Sequence, residues 1–342
     1  MKNSILTAFL VLVCMMSAYT QSSWTGPVLT TENDLAVEKY RKMIDAFYSS
    51  GITGSFDGAE KVSIHYRYFP QMDSERGAIV ISTGRTEAVV KYRELAFDLF
   101  RNGYSVYLFD HRGQGFSGRM AEDSEMGHVD NGQYYIDDMK NFYDLIVRKG
   151  KHEKIYLVAH SMGGLIGMRY LEEYPDDFNA AVFSSPMLGL SAYICPLAKA
   201  LSGATPKYAP GQGPYSDDST AFEGNSVTGS EIRYYHKLAI YTMFPDARVG
   251  GPSVQWLEES CKMMKEVFKD SEKIQTPFLL FSADNETVVN PAAAGKFIDR
   301  AKGQGKNCER IVIAEARHEL LMEKDPQRNE IIGKSLEFFC NY

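Results

Sequence analysis

The sequence predicts an α/β fold, with a mostly parallel central sheet flanked by helices and interrupted once by a long insertion. Three observations predict it. Short, nearly continuous apolar runs recur at 77–82, 104–109, 155–159, 180–184, 278–282 and 310–314, with stretches of helical spacing between several of them. Runs of that length read as strands buried on both faces, and strand–helix–strand alternation implies right-handed crossovers into a parallel sheet. The alternation stops between about 189 and 255, where Gly, Pro, Ser, Tyr and Asp crowd together, and resumes after Pro277. Finally, residues 155–170, IYLVAHSMGGLIGMRY, pass from an apolar strand through a very tight turn into a helix, with Ser161 at the apex.

The elements follow in chain order. Residues 1–20 read as an export signal: Lys2 supplies a positive start, 5–16 an apolar core too short to span a bilayer securely, and 17–20 small residues for cleavage. An uncleaved N-terminal anchor is the alternative. Val13 before Cys14 does not suit a lipid-attachment site. Residues 21–342 then form one domain. A polar lead-in precedes a helix over 34–50, stopped by Ser-Ser-Gly, and 61–69 alternates like a half-buried antiparallel strand. After a charged turn at 73–76 come the strand 77–82, a loop, the helix 92–102 ending at Gly103, and the strand 104–109. A helix over 136–149 leads to the strand 155–159 and the helix closed by Tyr174-Pro175. The strand 180–184 precedes the insertion, whose tyrosines and phenylalanine argue against a solvated loop and for a lid. A helix over 253–270, strands at 278–282 and 310–314, and a helix around 329–339 complete the chain.

The chain has 342 residues, of which 44% are hydrophobic, enough for a large core, and its net charge is −7 without basic blocks, which argues against a nucleic-acid partner. Past the leader remain Cys195, Cys261, Cys308 and Cys340. Four cysteines in an exported chain suit two disulfides. The local pairings are Cys195–Cys261, flanking the irregular region, and Cys308–Cys340, bracketing the last strand and helix. The histidines and cysteines show no zinc-type spacing, so no metal or cofactor is expected.

The chemistry centres on Ser161. A strand that reverses so sharply into a helix leaves no room for side chains beside the serine, and Ala159, Gly163 and Gly164 answer that need. The serine Oγ is then exposed beside a helix N-terminus, whose N–H groups can hold an oxyanion, Met162 first among them. A serine nucleophile needs a base, itself oriented by a carboxylate. Of the seven histidines, only His318 follows every candidate acid and the last strand. The acid is Asp284 or Glu286, both at the C-terminal end of the strand 278–282. His160 packs at the turn. His111 and His128 fall in loops near the site, and His65, His152 and His236 read as structural or exposed.

Five stretches give a resemblance to a known group: GRTE (84–87) with KYRELA (91–96); FDHRGQGFSGR (109–119); GHV (127–129) with the serine turn; TGS (228–230), Arg233-Tyr234 and GGPS (250–253) with Trp256; and HELL (318–321) with Glu323. The chain resembles the bacterial lysophospholipase and monoacylglycerol lipase group of the serine aminopeptidase-like α/β hydrolases over nearly everything after residue 35. The resemblance implies an α/β-hydrolase fold with a lid at about 189–255 and a serine esterase needing no cofactor. In the group the acid stands three residues past a Gly that ends the strand. Ala283 takes the Gly position here, which favours Glu286 and leaves Asp284 as the alternative. The second oxyanion donor implied is the backbone N–H of Arg85, where the group has His-Gly in place of Thr83-Gly84. The implied substrate is a lysophospholipid or monoacylglycerol, with transient membrane-surface contact through the lid. A short-chain esterase, a peptidase and a non-catalytic binding protein are the competing expectations.

Overall fold

One sheet of eight strands organises the protein: β1 (Ile52–Asp57), β2 (Ser63–Phe69), β3 (Gly77–Ser82), β4 (Tyr104–Phe109), β5 (Ile155–His160), β6 (Ala180–Ser184), β7 (Phe278–Ala283) and β8 (Cys308–Ile313). The computed structural model describes residues 26–72, 74–216 and 221–342. The expected export signal and Asp73 of the charged turn lie outside the described residues.

The strand order is β1-β2-β4-β3-β5-β6-β7-β8. β1 and β2 are antiparallel, as are β2 and β4, and every pairing from β4 to β8 is parallel. Every residue of β3 through β7 is buried, because helices cover both faces. One cluster packs the helices Gln133–Phe142, Met162–Glu173 and Val254–Lys269 on one face around Phe142, Leu157 and Phe183. A second packs Arg93–Arg101 and Asp325–Phe339 on the other around Ile79, Val158 and Phe281.

Two elements outside the insertion escaped the sequence. β1 is mostly exposed and its ITGSFD string lacks alternation, so only its register with β2, Ile52 opposite Tyr68, makes it a strand. The helix Pro291–Gly303 crosses from β7 to β8. Its signal was legible in Asn290-Pro291, since Asn290 Oδ1 caps the N–H of Ala292 and Pro occupies the first helical position.

The insertion between β6 and β7 is more regular than its composition implies. It carries the helices Ile194–Leu201 and Glu231–Met243 before Val254–Lys269. Cys195 and Cys261 are bonded, with Cα atoms 5.7 Å apart, and tie the first of these helices to the last. The other expected disulfide, Cys308–Cys340, is not formed. Cys308 opens β8 at the sheet edge, whereas Cys340 ends the C-terminal helix, where Arg76 donates to its Sγ at 2.9 Å. The neighbouring Phe339 stacks on Tyr156 of β5 at 4.4 Å. β5 and β8 stand three strand spacings apart, roughly 14 Å, beyond the reach of a disulfide.

The base of the insertion is fixed by Arg233 of the helix Glu231–Met243. Its guanidinium is fully buried and reaches Glu94 at 3.0 Å, Asp325 at 2.8 Å and the carbonyls of Thr30 and Glu323. One side chain thus joins the lead-in, the helix after β3, the insertion and the C-terminal helix.

Candidate active site

The backbone turns sharply at the end of β5. Ser161 has φ 51° and ψ −117°, a conformation that non-glycine residues rarely adopt. The helix Met162–Glu173 starts at the next residue. A Cβ on Gly163 would come within 2.4 Å of the carbonyl oxygens of Ser82 and Thr83, so this position must be glycine. Ala159 is completely buried against the same helix and fits because it is small.

Three loops bring the chemistry together. Ser161 follows β5, Glu286 follows β7 and His318 follows β8. His318 Nε2 lies 2.9 Å from Ser161 Oγ, and its Nδ1 lies 2.8 Å from Glu286 Oε2. The other oxygen of Glu286 accepts the N–H groups of Val288 at 2.8 Å and Val289 at 3.2 Å. Burial alone would raise the pKa of Glu286. The His318 hydrogen bond and charge and the two N–H donors outweigh it, and the carboxyl sits below its ordinary value. Asp284, the other candidate, is exposed and points elsewhere, with its Oδ2 3.4 Å from the N–H of Glu315. His160 lies against His318, ring centroids 4.9 Å apart, and burial pushes its pKa down to about 4. It is a neutral neighbour.

The expected oxyanion donors belong to Met162, buried in the first turn of the elbow helix, and Arg85, in the loop after β3. That loop is braced from two sides. Glu87 Oε2 accepts the N–H of Gly84, and Gln114 Nε2 donates to the carbonyls of Gly84 at 2.7 Å and Glu87 at 2.8 Å. Gln114 lies in the string after β4, which has its own supports. Asp110 accepts the N–H groups of Val89 at 2.7 Å and Phe116 at 2.9 Å. Gly115, at φ 58°, lets the chain pass where a Cβ would meet the Asp110 carboxylate. Arg112 forms a bidentate pair with Asp138 at 2.6 and 2.7 Å. The string therefore buttresses the site without entering it.

His111 is buried and bonds Ser82 Oγ at 3.0 Å, and burial lowers its pKa to about 3. His128 bonds Ser253 Oγ at 2.8 Å, where the insertion turns into its last helix. His65, His152 and His236 stand outside the serine's cavity. Sequence reasoning missed a buried charge cluster beside the site. Lys91 pairs with Glu87 and, at 3.0 Å, with Glu319, which also faces Lys237 at 3.4 Å. Glu87 and Lys91 stand four apart, the one signal that could have found it. Among the described residues no group of three His, Cys, Asp or Glu side chains is placed to hold a metal ion.

Ser161 and His318 open into a cavity of about 500 Å³. Met187, Leu190, Leu197, Val254, Trp256 and Leu257 supply much of its apolar wall, so the insertion roofs the nucleophile.

Residues 73–325 match the model of the serine aminopeptidase family S33. The chain belongs to this family. Among the chain's relatives, the lysophospholipase L2 of Escherichia coli K12 is 34% identical over 91% of this chain and 93% of its own. The probable lysophospholipase L2 of Haemophilus influenzae is 32% identical over 86% and 94%. The crystal structure of a soluble monoglyceride lipase variant from Saccharomyces cerevisiae, in complex with a substrate analog, has a TM-score of 0.64. It is 19% identical, covers 85% of this chain and 95% of that one, and shares the α/β-hydrolase fold.

Proposed function

We propose that the protein is a serine carboxylester hydrolase that cleaves the acyl ester of a lysophospholipid or monoacylglycerol through an acyl-enzyme. The observation that carries this reading is His318 bridging Ser161 Oγ and Glu286 through its two ring nitrogens. Ser161 Oγ attacks the ester carbonyl while His318 Nε2 takes its proton. Glu286 holds the ring by Nδ1 and favours the imidazolium as it forms. The backbone N–H groups of Met162 and Arg85 receive the oxyanion, each worth roughly 10²- to 10³-fold in rate. His318 then returns the proton to the leaving alcohol. Water repeats the sequence on the acyl-enzyme and releases a fatty acid. The apolar cavity beside Ser161 suits one acyl chain, and both L2 relatives are named for lysophospholipids.

Export fits the leader pattern and a disulfide in the insertion. Transient membrane contact through the insertion is supported by the exposed Tyr193, Leu197, Tyr235 and Met243 on its helices. Among the described residues no helix is long and apolar enough to cross a membrane.

Ser161→Ala is expected to abolish turnover of lysophosphatidylcholine, monoacylglycerol and p-nitrophenyl esters, a loss on the order of 10⁶-fold. Full hydrolysis by that variant refutes the mechanism. Preference of the wild-type protein for acetyl over long-chain esters refutes the lipid substrate and leaves a short-chain esterase.

A further inference from the structure

A second cavity of about 380 Å³ adjoins the first. The two share Arg85, Thr86, Glu87, Gln212 and Glu319 in their walls. They differ in chemistry. The first is largely apolar, whereas Lys91, Lys237, Arg85 and Arg248 bring ammonium and guanidinium groups to the second.

The cations there are not equally engaged. Lys91 sits between the carboxylates of Glu87 and Glu319 and neutralises much of their charge. Lys237, on the helix Glu231–Met243, reaches Glu319 only at 3.4 Å. Arg85 is paired with no carboxylate among the described residues. Its guanidinium lies 5.6 Å over the ring of Trp256 and gives a single long hydrogen bond, 3.3 Å, to the carbonyl of Gly250. A guanidinium has five N–H groups in a fork that fits phosphate, and Arg85 lines both cavities. Burial lowers the pKa of Arg85 to about 10 and also lowers that of Lys237. Both cations are partly buried and gain from an anion.

We infer that the second cavity receives the phosphate of the substrate's leaving alcohol, held by the Arg85 guanidinium with Lys237 beside it. The inference rests on the ester-hydrolase reading and narrows its substrate class to acylglycerols that carry a phosphate. The acyl chain fills the apolar cavity, the ester meets Ser161, and the glycerol leads past Arg85 into the charged one. Arg85 would then serve twice, by its backbone N–H at the oxyanion and by its side chain at the phosphate.

The test compares 1-decanoyl lysophosphatidic acid with 1-monodecanoylglycerol, which differ only in the phosphate, on the full-length protein. Arg85→Gln keeps the backbone donor and removes the cation. It should lower kcat/KM for the phosphate ester roughly 10- to 100-fold more than for the neutral ester, the range for a lost charge-assisted contact. Arg85→Lys should recover part of that difference. Lys237→Gln, outside the loop, should shift the ratio in the same direction by a smaller factor and carries the test alone if Arg85→Gln does not fold. A proportional fall for both substrates in the folded variants overturns the inference, because the side chains then serve the loop. An unchanged ratio overturns it too. Turnover of the neutral ester alone by the wild-type protein overturns the inference only, whereas turnover of neither ester overturns the lipid-ester reading on which it rests.

Discussion

Two carboxylates stand two residues apart at the end of β7, and only one of them meets His318. Spacing along the chain could not separate them, because both lie on the same loop. What separates them is the turn at Val288 and Val289, whose N–H groups take one oxygen of Glu286 and aim the other at the histidine. Glu286→Gln should therefore lower kcat by about 10⁴-fold, as loss of the orienting carboxylate does elsewhere. Asp284→Asn should leave kcat within about twofold. Steady-state rates on one ester decide it, and the reverse ordering would reassign the acid. Ser161 and His318 were legible because chain order and strand position single them out. Glu286 needed the resemblance, and the structural roles of Gln114 and Lys91 needed the fold. Their partners lie at Gly84 and Glu319, and the Glu319 contact spans more than two hundred residues that no local pattern connects.

The insertion shows where reading by element fails. The buried strands announce themselves as apolar runs because both faces are covered. The helix Ile194–Leu201 does not, because it is tied to the domain by one disulfide and leaves Tyr193 and Leu197 exposed. That bond closes a separation of 66 residues, which chain entropy equates to about 4 kcal/mol. Cys195→Ser with Cys261→Ser should lower the thermal midpoint. It should also raise protease cutting within 189–230 ahead of the sheet, because that helix lines the acyl cavity but lacks the Arg233 anchor. Equal resistance in limited proteolysis would show that packing alone holds it.

For the whole molecule, stability carries the mark of Asp110. Burial raises its carboxyl to about 7 despite the two N–H donors. The folded pKa thus lies above the ordinary 3.9 of an unfolded aspartate. The resulting stabilisation is complete below pH 4 and is lost as pH rises towards 7, by up to about 4 kcal/mol. Asp110→Asn, which cannot ionise, should flatten the fall in thermal midpoint between pH 4.5 and 7.5. Parallel pH profiles for variant and wild type would refute this. The sheet also fixes an order in time. The nucleophile follows the fifth strand, but its base follows the eighth, and the C-terminal helix must pack before that last loop is supported. A chain emerging from the ribosome presents Ser161 long before it presents His318. A nascent or truncated chain that stops short of β8 holds a bent serine with nothing to take its proton. A hydrolase of lipid esters thus lacks its base through most of its own synthesis.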